Sequence, residues 1–280
     1  MVKTSEVAIL GIGLMGGSLA GALRNEVKSL SAVDPDPKTR QQAKNSGWVD
    51  RISEDPGEIL PGADVVILAA PVGAILEIIP QLPRWHQGEP VVIDLGSTKR
   101  KICRELGKLP ERFAVVGGHP ICGKEQGGFA HADPGMYQGA TFTFSSCGHV
   151  SERARKTAEW LAATIGANSW WLEPEEHDEL LSATSHIPYL LATALALNTP
   201  ADARPLLGPG YRSTTRLSKT PGDMILDVLF SNRDFVLPQL KQIQQLLKDM
   251  EDLLKQGDRV GMKNICDRAS KINQKGQVLK

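Results

Sequence analysis

The sequence is short of everything that would tie it to a nucleic acid, a membrane or an oxidising compartment. Lys and Arg number 32 and so do Asp and Glu, so the formal net charge is zero and no polyanion-binding surface is expected. No run comes near the ~20 uninterrupted apolar residues that span a bilayer, so no membrane partner is expected. The opening MVKTSEVAIL has no long apolar stretch with a small-residue cleavage site, so no signal peptide is read and the expected location is the cytoplasm. The four cysteines, Cys103, Cys122, Cys147 and Cys266, form no C-x-x-C pair and read as free thiols. Two short stretches, HPIC (His119, Cys122) and CGH (Cys147, His149), have no second ligand pair at zinc spacing, so no metal is expected. What remains is an ordinary globular composition, 41% hydrophobic and 23% charged over 280 residues, enough for one large domain or two with a sizeable core.

Apolar, β-branched runs at 6–12, 29–34, 63–71 and 90–97 read as buried strands separated by helical stretches. Strands alternating with helices predict an α/β fold, a doubly wound parallel sheet of the Rossmann type. In that setting AILGIGLMGGSLAGAL becomes informative. Gly11, Gly13 and Gly16 have the spacing at which a strand turns tightly, lets backbone approach a pyrophosphate, and packs a helix closely on the strand. Asp34 stands 18 residues after Gly16 at the end of the second strand, placed for the ribose hydroxyls of a dinucleotide. Its charge would repel a 2′-phosphate, which favours NAD over NADP, while Lys38 and Arg40 just beyond work the other way. The expected cofactor contacts are Gly11, Ile12, Gly13, Leu14, Met15, Gly16, Asp34, Ala70, Pro71 and Ser97. Ser97 also reads as the N-cap of TKRKICREL, and the Lys99 ammonium as a further candidate for substrate or ribose.

In VVGGHPICGKEQGG a strand runs into two glycines and then His119. An uncrowded imidazole titrating near neutrality suits a base for the hydroxyl of a carbinol that loses hydride. After SWWLE, a possible strand, the pattern turns wholly helical, placing the domain boundary at 172/173: 1–172 binding the dinucleotide, 173–280 all-helical. Pro188 and Pro238 are expected to kink or interrupt helices. His177 and His186 stand nine residues apart and so fall on opposite faces of a straight helix, unable to face one pocket unless the helix bends at Pro188, with Tyr189 on the face of His186. His177, beside Asp178, reads as a structural or interdomain residue. Arg212 and Arg216 in GYRSTTR are candidate carboxylate ligands. Leu240, Ile243, Leu246, Leu247, Met250, Leu253 and Leu254 form an apolar stripe at helical spacing.

In chain order, GIGLMGGSLA, the VD after the second strand, LAAPV, DLGSTK, GGHPICGKEQGG, EEHDELLSATSHIPYLLA and GYRSTTRLSKTPGDM resemble the prephenate/arogenate dehydrogenase family of tyrosine biosynthesis over nearly the whole chain. The resemblance implies an NAD-dependent oxidative decarboxylation in which His119 accepts the hydroxyl proton with help from Ser97. Arg216 would hold the ring carboxylate, with Glu125, Arg212, His186 and Tyr189 around the substrate. It also implies a homodimer through the helical domain. Two departures stand out: Tyr189 occupies a position where the family usually has His, and Ser213 one where many members have an acid. Prephenate, giving 4-hydroxyphenylpyruvate, is the first reading, and arogenate, giving tyrosine, the alternative. A β-hydroxyacid dehydrogenase is a distant one, since no glycine-rich helix with a catalytic Lys is found; a non-catalytic NAD-binding protein is another. The chain ends at Lys280 without an expected regulatory domain, so tyrosine feedback, where present, would act at the active site.

Overall fold

The computed structural model describes residues 5–124, 126–148, 150–220 and 222–277. Glu125 and His149 lie outside these described residues. Eight strands, β1 (Glu6–Leu10), β2 (Ser29–Val33), β3 (Arg51–Ser53), β4 (Val65–Leu68), β5 (Val91–Asp94), β6 (Ala114–Pro120), β7 (Thr141–Ser145) and β8 (Asn168–Trp171), form one sheet. Its order is β3-β2-β1-β4-β5-β6-β7-β8. All neighbours are parallel except β6 and β7. The helices between strands are α1 (Leu14–Leu23), α2 (Pro37–Ser46), α3 (Pro56–Ile59), α4 (Val72–Ile78), α5 (Leu82–Trp85), α6 (Arg100–Leu106) and α7 (Glu152–Thr164).

Strand alternation builds the layers. Val7, Ile9, Val65, Ile67, Val91 and Ile93 face one side, where Leu19, Ala20 and Leu23 of α1 and Ala158 and Leu161 of α7 cover them. Ala8, Leu10, Val66, Leu68 and Val92 face the other, against Ile75 of α4 and Ile102 of α6. A sheet buried on both faces requires strands that are apolar throughout, and this explains the unbroken apolar runs. The order reverses at β1, which lies between β2 and β4, so the crevice for a ligand opens at the carboxyl ends of β1 and β4.

Beyond β8 no strand follows among the described residues. The chain continues as α8 (Pro174–Leu181), a π-turn (Ser182–His186), α9 (Ile187–Leu197), α10 (Pro209–Thr214), α11 (Gly222–Ser231), α12 (Arg233–Gln256) and α13 (Arg259–Gln277). Two compact units are present, Met1–Arg233 and Asp234–Lys280. The first includes helices α8 to α11 because polar side chains fasten them to the sheet layer. Asp178 accepts the N–H groups of Lys99 (2.7 Å) and Arg100 (3.0 Å), Thr98 Oγ1 meets Ser231 Oγ at 2.9 Å, and Asp227 accepts Gly73 N–H at 3.2 Å. In the second unit Gly257, at φ +67°, turns α12 into α13, and Asp258 caps α13 through the N–H groups of Val260 and Gly261.

Two expectations change here. Pro238 lies inside α12 without interrupting it; close to the helix start, proline forfeits one hydrogen bond rather than a run of them. And Pro174–Leu197 forms one 24-residue helical stretch that is long and apolar enough by length and composition to cross a membrane. The sequence reading missed it because His177, Asp178 and His186 break the apolar run; all three are buried in the first unit.

Candidate active site

The dinucleotide turn has the features its sequence predicts. Gly11 sits at φ +88°, and a Cβ there would lie 2.6 Å from Ala69 O. A Cβ on Gly16 would lie 2.0 Å from Gly11 O, so only glycine lets α1 seat on the turn. A Cβ on Gly13 would meet nothing within 4 Å: the space beside it is open, as a cradle for a pyrophosphate requires. α1 begins with no side-chain cap and no acid in its first turn, so its N-terminal N–H groups and dipole stay available to an anion. Ile12, Leu14 and Met15 share this turn, and Ala70 and Pro71 close the loop after β4, where Pro71 caps α4.

Asp34 is aimed by its neighbours: Ile12 N–H donates to Oδ2 at 2.9 Å and Asp36 N–H to Oδ1 at 3.0 Å. Arg40 is already engaged, donating to Asp34 O and Pro35 O, both at 2.8 Å, and to Glu54 at 2.8 Å. The guanidinium that would welcome a 2′-phosphate is therefore committed elsewhere. Asp34→Ser is expected to weaken NAD and relatively improve NADP; an unchanged ratio of kcat/KM for the two would show that Asp34 does not touch the ribose.

At the other end of the crevice a chain of hydrogen bonds determines which nitrogen of each histidine carries the proton. The Asp178 carboxylate lies 2.8 Å from His177 Nδ1, and His177 Nε2 lies 3.0 Å from His119 Nδ1. A carboxylate only accepts, so His177 carries its proton on Nδ1 and presents a lone pair at Nε2. His119 Nδ1–H then donates to it, leaving His119 Nε2 as the unprotonated, basic nitrogen. Burial, then His177, Lys99 and His186, hold His119 well below its usual 6.5, so it is neutral and able to accept a proton. Burial lowers His177 as well, against the pull of Asp178. Burial works against the Asp178 charge, but the bonds from His177 and the two N–H groups at the start of α6 keep its carboxyl below the usual range.

Beneath His119 lies a buried ion pair. Lys99 Nζ donates to Asp94 Oδ1 and to Gly118 O (2.6 Å), while Asp94 also accepts Gly96 N–H (2.8 Å) and Gly118 N–H (3.1 Å). Lys99 is therefore not offered to substrate or ribose: it is fully buried and fixes the backbone next to His119. Ser97 is half-buried and does not cap α6, because Asp178 takes the N–H groups a cap would satisfy.

The two histidines expected on opposite faces instead gather around Asp178. Between them the helix widens into the π-turn, in which Ile187 N–H bonds Ser182 O, five residues back. Pro188, next in the chain, has no N–H to give and its ring crowds the preceding turn, and widening relieves both. A π-turn advances by less than 100° per residue, so the nine-residue count no longer ends half a turn away. His186 Nδ1 lies 3.2 Å from Asn232 Nδ2, and Asn232 Nδ2 donates to Asp178 O at 2.7 Å. His177, expected as a structural or interdomain residue, bonds His119 from α8, whereas Asp178, Lys99, Asp94 and Asn232 were not expected as supports. Asp94 and Asp178 carried a signal, a charge inside an otherwise apolar run; Lys99 and Asn232 carried none.

Tyr189 is half-buried in the first turn of α9. Arg212 in α10 and Arg216 in the following turn are both exposed, and the Arg216–Lys219 turn packs on α9.

Buried neutral histidines make stability fall in acid. Burial drops His186 to about 4, against 6.5 when unfolded. Above pH 6.5 neither state is charged; below it the unfolded chain takes the proton first. His186 alone should cost about 3 kcal/mol between pH 6.5 and 4, at about 1.4 kcal/mol per pH unit. Denaturant midpoints that stay flat across that window would contradict the burial of this group.

A model described as prephenate dehydrogenase, nucleotide-binding domain, matches residues 19–169, and one described as prephenate dehydrogenase, dimerization domain, matches residues 173–266. The chain is 25% identical to the prephenate dehydrogenase of Lactococcus lactis subsp. cremoris, over 98% of this chain and 78% of that one. It is 28% identical to the prephenate dehydrogenase of Bacillus subtilis, over 84% of this chain and 66% of that one. Among solved structures, a prephenate dehydrogenase from A. aeolicus in complex with hydroxyphenyl propionate and NAD+ superposes with TM-score 0.88 at 24% identity, over 97% and 98% of the two chains. A Synechocystis arogenate dehydrogenase superposes with TM-score 0.82 at 22% identity, over 96% and 99%. At these identities the likeness of the structures concerns the fold.

Proposed function

Because the chain belongs to the prephenate dehydrogenase family, we propose that it is an NAD-dependent dehydrogenase that oxidatively decarboxylates prephenate to 4-hydroxyphenylpyruvate, a step of tyrosine biosynthesis in the cytoplasm. The observation that carries the reading is the Asp178–His177–His119 chain, which leaves a basic nitrogen on His119. NAD, held by Gly11 to Gly16 with Asp34 at its ribose, supplies the hydride acceptor. His119 Nε2 takes the proton of the ring hydroxyl as the ring carbon gives up hydride. Ser97 holds the same hydroxyl, and Arg216 takes a carboxylate through two parallel bonds. Glu125, Arg212, His186 and Tyr189 complete the pocket in this reading. As the ketone forms, the quaternary carboxylate leaves as CO₂, and the ring becomes aromatic. Loss of CO₂ leaves a phenolate oxygen that takes back the proton held on His119; aromatisation drives the reaction, so the protein needs only to orient the ring and hold one proton in between.

Prephenate and arogenate differ in a keto group against an ammonium. Mixing the protein and NAD with prephenate, arogenate and 3-hydroxyisobutyrate in turn, and following NADH absorbance, tests the reading. The fastest rise is expected with prephenate. A faster one with arogenate would replace the substrate, and none with either cyclohexadienyl acid would overturn the proposal.

The functional division in this reading falls near residue 173, where the two family matches meet. The helical part pairs with a second copy. On α12, Leu246, Leu247 and Leu254 are exposed, an apolar face that a two-fold partner would cover. Light scattering at micromolar protein should give twice 30.3 kDa. A fully active species of monomer mass would refute the pairing.

A further inference from the structure

Asn232 was selected by nothing in the sequence, yet it is completely buried and touches both ends of the histidine cluster. Its Nδ2 donates to the main-chain oxygen of Asp178 at 2.7 Å and lies 3.2 Å from His186 Nδ1, while its Oδ1 is buried with no hydrogen-bond partner. A main-chain carbonyl accepts and never donates, so the amide is fixed with its nitrogen towards Asp178. The second hydrogen of that nitrogen then points to His186, which must present a lone pair at Nδ1. A neutral imidazole has one proton, and on His186 it is left on Nε2.

We propose that Asn232 is a positioning residue that holds His186 as a neutral Nε2–H donor, the opposite sense to His119, for an anionic oxygen of the substrate. Asp178 thereby governs both imidazoles. Its carboxylate acts through His177 to make His119 an acceptor, and its own carbonyl acts through Asn232 to make His186 a donor. Hydrogen bonds through His177, Asp178 and Asn232 thus join an acceptor and a donor in one cluster. A substrate with a hydroxyl to give up and a carboxylate to hold needs that pair. The unpaired Oδ1 carries a cost that packing alone would not require, since an apolar side chain buries no oxygen.

The assignment of the donor to a substrate oxygen rests on the reaction proposed above; the tautomer itself does not. Two-bond ¹H–¹⁵N spectra of the histidine rings read the tautomer directly. The wild-type His186 should show the Nε2–H pattern. Asn232→Asp puts a carboxylate, which only accepts, against His186, and should move the ring proton from Nε2 to Nδ1, as Asp178 does for His177. KM for prephenate should then rise roughly ten- to a hundredfold, the worth of one hydrogen bond to a charged group, with a smaller change in kcat. A residue with a merely structural role would reduce the folded fraction and leave the pattern as it was. Where Asn232→Asp does not fold, His186→Gln and His186→Asn decide. Gln carries an N–H at the Nε2 position and should stay within about threefold of the parent KM, whereas Asn, reaching only the Nδ1 position, should lose at least about tenfold. A wild-type proton on Nδ1, an unchanged pattern in Asn232→Asp, or equal losses in the two His186 variants would overturn the proposal. Failure of the wild type to oxidise prephenate or arogenate would instead remove the reaction while the spectra still stand.

Discussion

His119→Asn should lower kcat by roughly 10²–10⁴, the usual worth of a positioned general base, and leave NAD affinity where it was. Asparagine is the informative replacement because its amide nitrogen stands where Nδ1 stood. It still donates to His177 Nε2, so the Asp178–His177 arrangement keeps its partner. What disappears is the basic nitrogen on the far side of the ring. The dinucleotide turn and Asp34 belong to the carboxyl ends of β1 and β2 and are untouched. Titration calorimetry with NAD and steady-state turnover separate the two effects. In the parent, the acid limb of kcat/KM should lie well below pH 6.5, because burial and the neighbouring His177, Lys99 and His186 keep His119 neutral there. Turnover within about threefold of the parent would make His119 structural and require another base.

Lys99→Met should be the most destabilising single change in the first unit. Asp94 and Lys99 are both wholly buried, and removing one partner leaves a carboxylate with two backbone N–H bonds and no countercharge. Losses of about 3–5 kcal/mol follow when a buried pair is broken in this way, a fall in Tm on the order of 10 °C for a domain of this size. Activity should fall with it, since Lys99 also holds Gly118 O, adjacent to His119. Burial already pushes the Asp94 carboxyl up. Without Lys99 its folded pKa would rise further above the unfolded value, so the deficit should grow as pH rises and shrink on acidification. The double variant Asp94→Leu, Lys99→Met should recover most of the stability, since an apolar pair has no charge to desolvate. Melts at about pH 5 and about pH 8 test the sign; a deficit that is the same at both would mean that Asp94 is not left charged.

The halves of the molecule differ in how far they can be read from the chain. Gly11, Gly13, Gly16 and Asp34 announce themselves because the turn they make is local, and the apolar strands because a sheet buried on both faces leaves no room for polar types. His119 is legible for the same reason, sitting where a strand meets glycines. The supports of His119 are not, since each comes from a distant part of the chain: His177 is 58 residues away in sequence and Asn232 is 54 from Asp178. Lys99 read as an ammonium for substrate or ribose because a lysine just after a strand end gives no sign that an aspartate five residues earlier waits inside. A fixed advance of 100° per residue sets His177 and His186 on opposite faces and left a bend at Pro188 as the exception; the departure is there, but as a widened turn rather than a bend. Proline is its cause, but proline at 238 has no such effect, so residue type alone did not distinguish the two positions.

The π-turn turns chain length itself into a specification. Ala183, Thr184 and Ser185 are exposed, and their side chains answer to nothing in the cluster. What matters is that there are three of them, between Ser182 and a histidine that must arrive at Asn232 in the correct angular phase. Such a segment tolerates almost any spelling and no change of count. Over generations of drift it should accept substitutions freely while remaining closed to insertion and deletion, like a gear whose teeth can be recut in any metal but never added or removed.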